Sequence, residues 1–204
     1  PQPDRALAEA NRLRFRQPGL GHLVHMPSHI DVRLGLWEAA IEANARAIAA
    51  ARAFREQAPQ ADFYQLYMAH NHHMLLFAAL MSGQSERAHA TAREMVAAMP
   101  ADWVQANPGI ADGFLAMPLE VLVRFGRWDE VLASPQPEAA FPLSRALWHV
   151  ARGIAAASQK EPELARAEET AFRQARAAVP TEWRVGNNLA SDVLAVAGAL
   201  LAGE

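Results

Sequence analysis

The stretch Met26-Pro-Ser-His-Ile-Asp-Val-Arg-Leu-Gly-Leu-Trp-Glu38 returns 91 residues later as Met117-Pro-Leu-Glu-Val-Leu-Val-Arg-Phe-Gly-Arg-Trp-Asp129, with Met, Pro, Val, Arg, Gly, Trp and an acid in register. Such self-similarity marks an array of stacked supersecondary units, whose exposed inner face is the usual place for a ligand. One slot differs in a way that matters for chemistry: His29 in the first copy is Glu120 in the second.

Working outward from these copies, the small or apolar residues that follow each turn are Ala6, Ala40, Ala88, Val131 and Ala165, spaced 34, 48, 43 and 34 residues apart. A period of about 34 is that of the tetratricopeptide repeat, two antiparallel helices that stack on the next pair. Gly35, Gly83 and Gly126 each sit five residues before a marker, and Lys160 takes the place of glycine in the fourth unit. Second helices end as such helices should: the stripes Ala6, Ala10, Leu13 and Ala88, Ala92, Met95 run into Pro18 and Pro100. The expected fold is all-α, a tetratricopeptide-like right-handed solenoid of antiparallel helix pairs. It spans 1–204 as a single domain of about four units, with a partial repeat at each end. Residues 3–10 read as a second helix without its partner and 188–204 as a first helix stopped before its turn, so a piece of a longer protein, or a truncated reading frame, is expected. The long intervals around 57–62 and 102–109 read as longer helices or inserted loops.

Composition narrows the function. With 204 residues, 51% of them hydrophobic, and few β-branched residues, the chain has the makings of a packed helical protein. A net charge of −3, with Arg and Glu interspersed, leaves no basic stripe for phosphate neutralisation, so no nucleic-acid partner is expected. No apolar run reaches the ~20 residues that a membrane-spanning helix needs. Cysteine is absent, so any metal must rest on His and carboxylate ligands. The first residue is Pro and no charged-then-apolar leader opens the chain; a cytoplasmic location is expected, with the native N-terminus missing. Glycine-rich phosphate loops, Gly-x-Ser-x-Gly elbows and His-Glu-x-x-His are not found.

The histidines carry the strongest chemical signal. His22, His25 and His29 lie 13, 10 and 6 residues before Gly35, His70 and His73 lie 13 and 10 before Gly83, and Glu120 lies 6 before Gly126. Separations of three, four and seven share one side of a helix. Leu75, Leu76 and Ala79 take the packing seam, so the histidines are expected on the concave groove. His25 with His29, and His70 with His73, have workable two-ligand spacings, and Glu120 is a candidate carboxylate ligand or general base. Imidazole and carboxylate together suit a divalent metal, whether zinc, iron, manganese or copper. Two structural alternatives stand beside this reading: the imidazoles line a wet groove, or Pro27 starts the helix and leaves His22 and His25 in the preceding turn. His22, Arg33 and Arg124 are expected to line the groove, the two arginines either binding an anion or, as the expected case, pairing with a Glu across the turn. His72 reads as a packing or surface side chain, His89 as solvated, and His149 as packing within the fourth unit with groove lining as the alternative, while Trp37, Trp128, Met26 and Met117 read as packing residues.

The phrases Gly21-His-Leu-Val-His-Met-Pro-Ser-His-Ile30, His70-Asn-His-His73, Arg124-Phe-Gly-Arg-Trp-Asp129 and His149-Val-Ala-Arg-Gly153 resemble those that recur in a group of longer bacterial tetratricopeptide proteins. The resemblance implies a protein more than twice this length and carries over His25, His29, His70 and His73 as signature histidines. The chain departs from the group at Asp31, Ala69 and Ser82, where an aromatic, a proline and a glutamate are usual. The resemblance names no reaction. The function expected is a scaffold that takes a protein, peptide or small ligand in its concave groove, with the histidines tuning recognition or holding a metal. The alternatives are a metal-dependent hydrolase or oxidoreductase, in which the ion activates water or oxygen and Glu120 or a histidine moves protons, and a purely structural assembly module.

Overall fold

The computed structural model describes residues 2–58 and 64–204. The chain is 76% helical and all-α in character, in two compact units, Pro1–Pro100 and Ala101–Glu204. In the first unit a 3₁₀ turn, Pro3–Ala6, leads to α1 (Leu7–Leu13), α2 (Gly21–His25), α3 (Ser28–Arg33), α4 (Trp37–Gln57), α5 (Tyr64–Met81) and α6 (Ser85–Ala98). The second holds α7 (Ala101–Ala106), α8 (Pro108–Leu115), α9 (Met117–Arg124), α10 (Trp128–Ala133), α11 (Pro142–Ser158) and α12 (Pro162–Ala177). A hairpin of β1 (Arg184–Val185) and β2 (Asn188–Leu189) and then α13 (Ala190–Gly203) complete it. The interval 102–109 is thus two short helices broken before Pro108, rather than a loop or one longer helix. Of the interval 57–62, α4 accounts for the first residue, and 59–63 lie outside the described residues.

One backbone device recurs. After α3, α5, α9 and α11 the chain enters the left-handed region, at Gly35 (φ 72°), Gly83 (φ 74°), Gly126 (φ 66°) and Lys160 (φ 64°). In each case the next N–H reaches back across the turn. Leu36 donates to Asp31 O, Gln84 to Ala79 O and Arg127 to Leu122 O, all at 2.9 Å, and Glu161 donates to Ala156 O at 2.8 Å. This is the Schellman closure, which satisfies carbonyls orphaned at the helix end and turns the chain back into an antiparallel partner. Glycine bears the positive φ without strain. Lys160 adopts it with a Cβ, which costs roughly 1–2 kcal/mol.

Alanine seams set the packing of the first unit. Ala40, Ala43, Ala47 and Ala51 on α4, Ala69, Ala78 and Ala79 on α5, and Ala88 and Ala92 on α6 are all buried, and α4, α5 and α6 pack in succession. In the second unit α11 is central. Leu143, Val150 and Ile154 meet Phe172 of α12 and Leu194 and Leu201 of α13, while Ala151 and Ala155 meet Leu122 and Val131. Each large side chain so buried contributes about 1.5–3 kcal/mol. The start of α11 is capped from another helix: Asp112 accepts the N–H of Leu143 (2.8 Å) and of Ser144 (2.9 Å), and Ser144 Oγ donates to Asp112 O (2.9 Å). Pro142 at the first position has no N–H to satisfy. Burial pushes the Asp112 carboxyl upward, and the hydrogen bonds from Ser144 and Leu143 pull against it.

Replacing Lys160 with Gly is expected to raise stability by about 0.5–1 kcal/mol in urea unfolding, the relief of left-handed strain less the extra backbone entropy of glycine. Gly126→Ala is expected to shift the midpoint the other way.

Candidate metal centre

The first unit brings three imidazoles to one point. His25 is the last residue of α2, His29 lies in the first turn of α3, and His70 lies on α5. Met26 and Pro27 between α2 and α3 keep helical dihedrals (φ −51° and −56°), so the i, i+4 relation of His25 and His29 survives the proline break. The Nε2 atoms of His25 and His29 lie 2.9 Å apart, and those of His25 and His70 3.1 Å apart. All the ligand atoms of the trio fall within 4.8 Å of one another, and the group could hold a metal ion. The rings of His29 and His70 are nearly stacked at 5.7 Å, and both meet the His25 ring edge-on at 4.7 Å.

A buried carboxamide sets the chemistry of the central ring. Asn44 of α4 donates from Nδ2 to Ala40 O at 2.8 Å, which turns its Oδ1 toward His25 Nδ1, 2.7 Å away. An acceptor there requires the proton on Nδ1, so the Nε2 of His25 presents a lone pair to the other two histidines. One in-plane lone pair faces two neighbours, and it can accept only one good hydrogen bond. A metal ion removes the conflict, because it takes a lone pair from each ring. The second contact of the ring, fixing tautomer and orientation, is the usual companion of a metal-bound histidine.

Electrostatics keep these rings neutral. Burial pushes His25 from 6.5 down to about 4, against the opposing hydrogen bond that it donates to Asn44 and with help from His70, His29 and His22. Burial, then His29, His73 and His22, pushes His70 down to about 4. His29 is lowered by burial and by His22, and His73 by burial. At neutral pH the trio therefore offers lone pairs rather than charges.

Close approach of α2 to α4 underlies the Asn44 contact. A Cβ on Gly21 would stand 2.8 Å from the backbone oxygen of Ala47, so only glycine lets α2 lie this near. The other side is tied by an ion pair: Arg14, just beyond α1, holds Asp31 through two bonds of 2.9 and 2.8 Å. Asp31 is fully buried and lies one residue beyond Ile30 on the helix that carries His29. Asn44, Gly21, Arg14 and Asp31 had no site role in the sequence reading. A buried asparagine in the middle of the Ala-rich α4 is the one local signal that could have pointed to the first.

His73 is on α5 with His70 but is not one of the converging trio. His22 stacks on His25 at 5.9 Å and meets the Tyr67 ring at a tilt at 4.5 Å, with Nδ1 buried and without a hydrogen-bond partner among the described residues. Glu120 belongs to the second unit, where with Arg124 it lines a recess of about 600 Å³ walled by Leu119, Val123, Leu147 and Ile154. Glu120 keeps contact with solvent, yet the apolar walls around its carboxyl push it from 4.5 up to about 6. Arg33 is exposed. His72 is packed as expected, donating from Nδ1 to Met68 O at 2.7 Å. Met26, expected to pack, is exposed at the proline break, whereas Met117 is buried. His149 donates from Nδ1 to Glu168 Oε2 at 2.7 Å.

No protein-family model, curated protein or solved structure matches the chain.

Because Gly21 sets the α2–α4 distance, Gly21→Ala is expected to cost about 1–3 kcal/mol by overpacking. Gly19→Ala, whose Cβ would meet nothing within 4 Å, is the control expected to be near neutral in the same denaturation series.

Proposed function

We propose that this chain is a tetratricopeptide-like helical-repeat module whose first unit holds one transition-metal ion on the Nε2 atoms of His25, His29 and His70. The observation that carries the reading is the pair of Nε2–Nε2 separations, 2.9 and 3.1 Å. Two nitrogens each bound at about 2.0–2.1 Å to one tetrahedral ion are about 3.4 Å apart, so small side-chain adjustments bring the trio to that spacing. The repeat reading draws on the internal sequence copies and on four helix ends that close in the same left-handed turn. An all-imidazole trio favours zinc or copper, which stand above iron and manganese in affinity for nitrogen ligands. His25, His29 and His70 come from three helices, so the ion joins α2, α3 and α5 and adds to their stability in proportion to its affinity.

Three protein ligands leave a coordination position to solvent or to a donor atom of a bound molecule. As a binding module the chain would use that position to take a side chain or small ligand of its partner. The same open position favours a second reading, a metal-dependent hydrolase or oxidoreductase, which differs from the first in requiring turnover.

Protein prepared without a histidine tag and dialysed against zinc is expected to retain one ion per chain, by elemental analysis, and to melt at a higher temperature than the chelated form. His29→Ala and His70→Ala are expected to abolish both effects and His73→Ala to preserve them. Stoichiometric zinc retained by the His29 and His70 variants, or none held by the parent chain, would overturn the assignment.

A further inference from the structure

The second unit contains a separate cluster that the metal reading does not use. Glu168 of α12 is buried, 7% exposed, and both its oxygens are committed to α11: Oε1 accepts from Arg152 Nε at 2.6 Å and Oε2 from His149 Nδ1 at 2.7 Å. Arg152 is itself fixed, bonded to Leu132 O and lying 4.6 Å over the Trp148 ring. The indole of Trp148 in turn donates to Ser134 Oγ at 2.9 Å. Arg152 alone neutralises the buried carboxylate, so the ion pair is complete without an imidazole. What Glu168 adds for His149 is orientation: with the proton on Nδ1 engaged, the lone pair of Nε2 is left on the outer edge of the ring.

That ring lines a recess of about 340 Å³, together with Arg145, Gln136 and Gln174 over a floor that includes Ala171 and Ala175. The size lies within the ~300–1,000 Å³ range of small-molecule sites. Arg145 stands one turn before His149 on α11. Among the described residues its guanidinium has no ion pair or side-chain hydrogen bond, and no carboxylate lines the recess. A buried, neutralised carboxylate that aims an imidazole, beside an unpaired guanidinium and two carboxamides, is a built arrangement of donors with one acceptor. Arg145 calls for an oxyanion and supplies a planar fork that matches one. His149 Nε2 calls for a proton donor on the same molecule.

We infer that the recess between α11 and α12 binds a small oxyanion that also carries an O–H, a hydrogen phosphate or an α-hydroxy carboxylate, through Arg145 and the Nε2 of His149. The pair of requirements sets the specificity. Sulfate and acetate satisfy Arg145 and leave His149 without a donor, so they bind more weakly.

The test is a titration of the full chain, in the presence of a chelator so that the first unit's ion plays no part, followed through the ring nitrogens of His149 by NMR. Inorganic phosphate and glycolate, added in separate arms, distinguish the two ligand types, and sulfate and acetate are their respective controls. Phosphate or glycolate is expected to shift the Nε2 resonance and to bind about tenfold more tightly than its control, the worth of one good hydrogen bond. Arg145→Gln is expected to weaken binding at least tenfold. His149→Gln is expected to bring each ligand and its control to similar affinity, a change that a mere helix tie would not produce. Should His149→Gln fail to fold, Arg145→Lys, which keeps the charge and loses the fork, serves in its place and is expected to weaken phosphate. Equal binding of each ligand and its control by the parent chain, or unchanged affinity in the Arg145 variants, would overturn the proposal.

Discussion

A helix whose last turn closes through a left-handed residue has to send the chain back alongside itself. That closure occurs at Gly35, Gly83, Gly126 and Lys160, and the pairing of α3 with α4, α5 with α6, α9 with α10 and α11 with α12 follows from it. Packing then follows from side-chain size. Alanine on α4, α5 and α6 keeps the helices of the first unit near one another, so side chains from neighbouring helices meet without long reach. In the second unit the larger Leu, Val, Ile and Phe around α11 fill the space instead.

Within that frame a single carboxamide decides what the histidines can do. Without Asn44, His25 could place its proton on either nitrogen, and its Nε2 could meet the neighbours at 2.9 and 3.1 Å as an N–H instead of a lone pair. With Asn44 on Nδ1, the three rings present a lone pair that two neighbours compete for, inside a pocket where burial opposes protonation. A buried polar conflict of this kind is costly unless something resolves it. An ion that accepts three lone pairs does so. The same logic, a buried acceptor aiming an imidazole, recurs at Glu168 and His149 with a carboxylate in place of the neutral carboxamide.

How much of this was legible in the sequence depends on the range of the contact. The turn glycines were readable because a left-handed backbone is a local demand, and Lys160 was found by its register alone. His25, His29 and His70 were readable as one-sided spacings on helices. Whether His70 or His73 completes the group depends on the rotation of α5 about its own axis relative to α2, and a three-residue spacing places both on the inward side without choosing between them. Asn44, 19 residues from His25, and Asp31, 17 from Arg14, act across helix pairs, where no period in the chain signals who meets whom. Glu120 shares His29's register but belongs to the second compact unit. The β1–β2 hairpin is too short for alternation to show.

The most direct measurement is X-ray absorption at the zinc edge on the zinc-loaded, tag-free chain. Convergence of the trio predicts a first shell with three imidazole nitrogens at about 2.0–2.1 Å, with the outer-ring scattering of histidine, completed by a solvent oxygen. A shell made mainly of oxygen, or one with fewer than two imidazoles, would contradict the account.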